Sequence, residues 1–146
     1  MNRAHNASMD FDLERFVEAQ RGVYDGVLAE LRCGQKTGHW IWFIFPQVAG
    51  LGRSELSRYY AISSLDEARA YLAHPVLGPR LRECAGIVLA TDGRTAEEIL
   101  GAVDAMKLRS SMTLFLRAAP DEAVFLLVLE RFYGGVPDRA TDQRLG

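Results

Sequence analysis

Asp104, Lys107, Ser110 and Ser111 stand three or four residues apart, so any helix that carries them presents them on one face. They interrupt an otherwise apolar run over 103–116, and polar groups placed there need partners. Two readings fit. In one, the segment lines a ligand pocket and Lys107 or Arg109 grips a phosphate or carboxylate. In the other, Asp104 and Lys107 form a surface pair and the serines bond back to helix carbonyls. A Ser–Lys nucleophile pair would need a third, orienting group, and none is identifiable.

A second group of candidates lies in the densest block of the chain, Gly38-His39-Trp40-Ile41-Trp42-Phe43-Ile44-Phe45-Pro46-Gln47. A histidine side chain can serve as a general acid or base, so His39 is a candidate for that role, set against a plain helix-terminal histidine. Trp40 and Trp42 can stack on a flat ligand or simply fill the core. If the block is helical, the two indoles diverge by roughly 200°; if it is a strand, they share a face. Gln47 follows the proline. Then comes Gly50-Leu51-Gly52-Arg53-Ser54, a glycine loop running into a helix start, where free amides and Arg53 could cradle an anion. It is neither a Walker A loop nor a dinucleotide fingerprint, and a capped turn is the simpler reading. His5, His39 and His74 have no metal-ligand spacing, and no metal or cofactor is expected. Asp138, Thr141 and Asp142 can cap a last helical turn or close over a site.

The elements that must position these residues read as helices. Leu13, Phe16, Val17, Gln20, Tyr24, Val27, Leu28 and Leu31 repeat at helical spacing, which predicts one long amphipathic helix capped by Asp10 or Asp12 and ended by Gly34. The aromatic block is expected as a short buried helix capped by Thr37 and ended before Pro46, because no neighbouring run could pair with it as a strand. Ser54 opens a helix over 55–61. Ser64 with Glu67, and Thr95 with Glu98, read as capping boxes. His74-Pro75 breaks the chain before a helix whose first turn holds Pro79. The segment 103–116 is another helix. The stretch 122–133 is apolar almost all round and is expected to be buried. The fold class predicted is all-α, a single-domain bundle of roughly seven helices over 10–146 with little or no sheet, after a disordered lead over 1–9.

Composition narrows the function classes. The 146 residues are 49% hydrophobic and 25% charged, enough to bury a core without disulfides or metal. A net charge of −2 gives no pull towards nucleic acid, which is not an expected partner. No run reaches the roughly 18–20 apolar residues of a membrane span, and 1–9 lack a signal-peptide core. A cytoplasmic protein with two reduced thiols, Cys33 and Cys84, is expected.

Long stretches of the chain are similar to one bacterial family, domain of unknown function 1810. The resemblance rests on His39-Trp40-x-Trp42-Phe43-x-Phe45-Pro46-Gln47-x-x-Gly50-Leu51-Gly52-x-Ser54, on Tyr60-Ala61-Ile62, and on His74-Pro75-x-Leu77-Gly78-x-Arg80-Leu81. Lys107-Leu108-x-Ser110-Ser111-Met112-Thr113-Leu114-Phe115 and Asp138-x-x-Thr141 extend it over about 11–145. It implies a compact helical domain and no assigned function. The chain departs from the pattern just before Lys107, where the family often carries two adjacent acids and only Asp104 stands here. A calpastatin label attached to some members does not fit this chain. Such inhibitors are proline-rich, repetitive and disordered, whereas this chain has five prolines, no repeat and a clear core pattern.

The favoured expectation is a domain that binds an anionic small molecule bearing phosphate or carboxylate, with enzymatic activity left open. His39, Trp40, Gln47, Ser54, Lys107 and Ser111 are expected to line its pocket. The alternative is a non-catalytic helical interaction module, presenting an apolar patch around Phe132-Tyr133 or Tyr59-Tyr60. Oligomeric state is left open.

Overall fold

The computed structural model describes residues 11–146. The expected lead over 1–9 and the Asp10 cap lie outside those residues. Ten helical segments follow in order: α1 (Glu14–Gln20), α2 (Tyr24–Cys33), α3 (Ile41–Ile44), α4 (Glu55–Tyr59), α5 (Leu65–Ala73), α6 (Leu77–Ala90), α7 (Ala96–Leu100), α8 (Ala102–Ala118), α9 (Ala123–Tyr133) and α10 (Arg139–Leu145). Three of them are single turns, so the substantial helices number seven, and the all-α class holds. The one strand-like pairing among the described residues is an isolated parallel bridge between Val48 and Ile62. It ties the chain after Pro46 to the segment after α4, through Ile62 N–H to Gln47 O and Ala49 N–H to Ile62 O, both 2.8 Å.

α8 is the axis of the domain. It packs against α5, α7, α9 and α10, while α6 packs against α2, α5 and α9. A column of rings crosses the interior: Phe16 meets Tyr71 edge-on at 5.1 Å, Tyr71 meets Phe115 at 5.5 Å, and Phe115 meets Phe125 at 5.9 Å. All four are fully buried. Each such side chain contributes roughly 1.5–3 kcal/mol of transfer free energy, so this column fixes how the helices meet.

Local chemistry sets most helix ends. Thr95 and Glu98 form a complete capping box, with reciprocal bonds of 3.1 and 2.8 Å. Ser64 caps α5, but its box is only half made. Glu67 turns its carboxylate to the Ser63 N–H and to Arg15, whose guanidinium also donates to the carbonyls of Tyr59 and Ala61. His74 ends α5 and accepts the Val76 N–H at Nδ1, and Pro79 sits in the first turn of α6 as expected.

Several expectations are corrected. The predicted long first helix is two helices, broken at Arg21-Gly22-Val23, where Gly22 has φ +78°. Its periodicity survives the break because Phe16 and Gln20 on α1 and Val27, Leu28 and Leu31 on α2 all face the same core. Gln20 pins the break: its amide donates to Phe43 O at 2.8 Å and accepts from Arg80 at 3.2 Å. Asp12 does not cap α1, whose N-cap is Leu13. Thr37 does not cap α3; that position is Trp40, and the Thr37 N–H goes to Glu30. α4 stops at Tyr59 rather than 61. α9 buries only Phe125, Val128 and Leu129, and leaves Leu126 and Leu127 exposed, because it lies on the outside of α8 and α6. Cys33 is exposed and Cys84 buried, and both are free. Burial pushes the Cys84 thiol up to about 12, which leaves it inert at neutral pH.

Candidate functional site

The aromatic block sends its two tryptophans apart, as helical geometry requires. Trp40 is buried, and its indole N–H donates to Glu30 Oε1 at 3.0 Å. The same oxygen accepts the N–H groups of Thr37 at 2.6 Å and Gly38 at 2.9 Å. Burial alone would raise the Glu30 carboxyl, but these donors outweigh it and hold it below the usual carboxylate range. Lys36 Nζ lies 5.1 Å from the Trp40 ring centroid and 2.7 Å from Asp104 Oδ2.

Trp42 is half-buried on the other side. Lys107 Nζ stands 4.6 Å from its ring centroid and 3.6 Å from Asp104 Oδ1. Asp104 thus joins two lysines, each resting on an indole. The Lys36 side chain is 8% exposed and tightly paired; the Lys107 side chain is 21% exposed and loosely paired. The indole N–H of Trp42 is buried with no hydrogen-bond partner.

Lys107 opens onto a cavity of about 270 Å³, walled by Gln47, Leu51 and Gly52 on one side and by α8 on the other. Ser57 on α4 and Ser110 on α8 add hydroxyls, Asp138 adds a carboxylate, and Val103, Met106 and Ala140 form an apolar rim. The loop needs its glycines. Gly50 has φ +95°, and the Arg144 guanidinium occupies the place a Cβ would take there, donating to Gly50 O at 3.1 Å. A Cβ on Gly52 would run into the Ser57 side chain, so glycine lets Ser57 reach the wall.

Asp138 is held from behind. Its Oδ2 accepts from Ser110 Oγ at 3.1 Å, Thr141 N at 3.0 Å and Thr141 Oγ1 at 2.6 Å. Its own N–H donates to Thr113 Oγ1 at 2.8 Å. Arg109 donates to Val136 O at 2.9 Å, and the Tyr133 hydroxyl donates to Ala105 O, so the segment before Asp138 is clamped to α8. Asp138 is therefore both the cap of α10 and a wall of the cavity.

The six expected lining residues do not share one pocket. Gln47 and Lys107 meet at this cavity. His39 and Trp40 line a different hollow of about 330 Å³, with Gly22, Gly26, Glu30 and Phe43. Ser54 is exposed and only caps α4, with Ser57 N–H at 3.1 Å and Ser57 Oγ at 2.9 Å from its hydroxyl. The loop is thus a capped turn before a five-residue helix, and Arg53 is exposed. Ser111 is fully buried and does not line the cavity, and its Oγ has no partner. Sequence reasoning missed Ser57, Met106, Lys36 and Glu30. None carries a spacing signal, because each is brought in by packing between distant segments. Two larger hollows, of about 480 and 530 Å³, flank Arg94 and are lined mostly by exposed side chains. No three His, Cys, Asp or Glu side chains converge among the described residues. No described helix is long and apolar enough to cross a membrane.

Comparison with known proteins gives two findings. The profile of a family described as "Protein of unknown function (DUF1810)" matches residues 10–145. A crystal structure of the conserved hypothetical protein Rv1873 from Mycobacterium tuberculosis is similar with a TM-score of 0.92 at 55% identity, over 93% of this chain and 97% of that one. No curated protein matches.

Proposed function

This chain belongs to the DUF1810 family, whose description assigns no function, and we propose that it binds a small molecule bearing a phosphate or carboxylate in the cavity between the 47–57 segment and α8. The observation that carries this reading is the unequal sharing of Asp104. Lys36 takes that carboxylate at 2.7 Å, which leaves Lys107 at 3.6 Å with its charge under-compensated at the cavity wall. Two ammonium groups around one carboxylate leave a net positive charge, and Lys107 is the more exposed of the two. Gln47 and Ser57 bring further donors to the same wall. A cavity of about 270 Å³ suits a ligand below drug size. The proposal is one of binding, and chemistry on the ligand is left open.

A thermal-shift screen against inorganic phosphate, nucleotides, sugar phosphates and simple carboxylates tests it. A ligand at about 100 times its Kd stabilises the fold by about 2.7 kcal/mol, a clear rise in Tm. The shift is expected to vanish in Lys107→Met. A flat response across the panel, or a hit that survives Lys107→Met, counts against this site.

An interaction surface is the second reading, favoured by the rim: Val103 is 65% and Met106 72% exposed beside the cavity mouth. If that rim seats a second copy of the chain, sedimentation would show concentration-dependent association that Met106→Lys abolishes. The alternative patches fare differently. Phe132, Tyr133 and Tyr60 are half-buried, and only Tyr59 stands out into solvent.

A further inference from the structure

We infer that the ligand of this cavity is a zwitterion, with an anionic group for Lys107 and an ammonium group for Asp138; the inference rests on the anion-binding reading above and narrows its substrate class. Thr141 N–H and Thr141 Oγ1 donate to Asp138 Oδ2, Ser110 Oγ divides its one proton between that oxygen and Met106 O, and no described residue donates to Oδ1. None of those donors is cationic: they are two hydroxyls and one backbone N–H. Asp138 lines the cavity with no ion-pair partner among the described residues, and its Oδ1 accepts from none of them. Arg109 on α8 is engaged elsewhere, with its Nε on Val136 O and its guanidinium 5.7 Å from the Tyr133 ring centroid, and Lys107 is drawn to Asp104.

The wall thus carries two opposite and separately uncompensated charges. Around Asp104 the sum is positive, since Lys36 and Lys107 share one carboxylate. At Asp138 it is negative. A purely anionic ligand would meet Lys107 and bring its charge towards Asp138. A purely cationic ligand would face the reverse conflict. A molecule with both charges, such as an α-amino acid or an aminoalkyl phosphate, satisfies both ends at once. The apolar contacts from Leu51, Val103 and Met106 then leave room for an uncharged side chain.

The test is a binding titration of the intact protein with matched pairs. The twenty L-amino acids and phosphoethanolamine form one arm; their des-amino counterparts, simple carboxylic acids and ethyl phosphate, form the other. At least one zwitterion is expected to bind with its des-amino partner about tenfold weaker or worse, the loss of a charge-assisted bond. Asp138→Asn keeps an acceptor for the α10 cap and is expected to close that gap. The wild-type comparison stands even if this variant folds poorly. If des-amino compounds bind as tightly as their partners and Lys107→Met abolishes both, the zwitterion inference fails and the anion reading survives. If no compound in either arm binds, both fail.

Discussion

The two tryptophans of the aromatic block have the same neighbours in kind and opposite fates. Each indole lies under a lysine, and both lysines reach Asp104. On the Trp40 side everything is closed: the indole N–H and two backbone amides converge on Glu30, and Lys36 is buried against Asp104. On the Trp42 side the pairing is loose, the indole is half-buried, its N–H is unpartnered, and Lys107 faces a cavity. The difference shows how one set of residue types can be spent on folding at one place and left available at another. Satisfied polar groups rigidify a core, whereas under-satisfied ones at a wall are where a ligand gains most.

The largest effect that could break this contrast is in the indoles themselves. Trp40→Ala removes a buried ring and the N–H that holds Glu30, and is expected to cost about 3–5 kcal/mol. Trp42→Ala removes a half-buried ring with no hydrogen bond, and about half that loss is expected. Urea unfolding of both variants measures the gap; equal losses would mean that the two sides are not different in kind. Next comes Lys36→Met. Breaking a fully buried pair costs about 3–5 kcal/mol, but Lys107 can move towards the freed Asp104, so about 2 kcal/mol is expected. The same movement would draw Lys107 away from the cavity, so ligand affinity should fall with stability in this variant.

Glu30 adds a pH signature to the closed side. Its carboxyl is depressed in the folded state by the Gly38, Thr37 and Trp40 donors despite burial. Its contribution is therefore complete above the ordinary carboxyl pKa of about 4.3 and is lost as pH falls through the lower folded value. Glu30→Gln should flatten the acid limb of the stability curve in that window and change little between neutral and mildly alkaline pH. An unaltered acid limb would show that the three donors do not bind the carboxylate in solution. On the open side, Gly52→Ala forces a Cβ against Ser57, and overpacking of that kind costs about 1–3 kcal/mol. The lower half of that range is expected, since α4 is a surface turn that can yield.

What the sequence disclosed follows the range of the forces involved. Helix ends set by residues three apart were legible: Thr95 with Glu98, Ser54 and Ser64 as caps, and Gly34 in the left-handed conformation after α2. The first helix was misjoined because its apolar period runs through Gly22 without a phase change, and only the φ of that glycine breaks it. At the site, Lys107 and Gln47 could be picked because each is a polar residue in an apolar run. Ser57 could not, since the packing of α4 onto the 50–52 loop creates its role; Asp138 could be read as a cap or as a residue closing over a site, and its place at the cavity wall comes from the packing of α10 onto α8. His39 and Trp40 do line one hollow, together with Glu30, but it is separate from the cavity of Gln47 and Lys107, and adjacency in sequence carries no sign of that separation.

The smallest stability effect expected is the most telling for function. Lys107→Met removes a loosely held ammonium at 3.6 Å from Asp104 and keeps the methylene stem over Trp42. Partly exposed pairs of this kind contribute about 0–1 kcal/mol, and Asp104 retains Lys36, so no buried charge is stranded. The variant should unfold within about 1 kcal/mol of the parent. If the cavity binds anions through Lys107, affinity for the best ligand should nevertheless drop by about tenfold or more, the loss of a charge-assisted contact. A large effect on binding with a small one on folding separates this variant from Trp40→Ala, which strikes folding, and from Lys36→Met, where stability and affinity fall together. Should Lys107→Met unfold as readily as Lys36→Met, both lysines would be structural, and the asymmetry around Asp104 would carry no function.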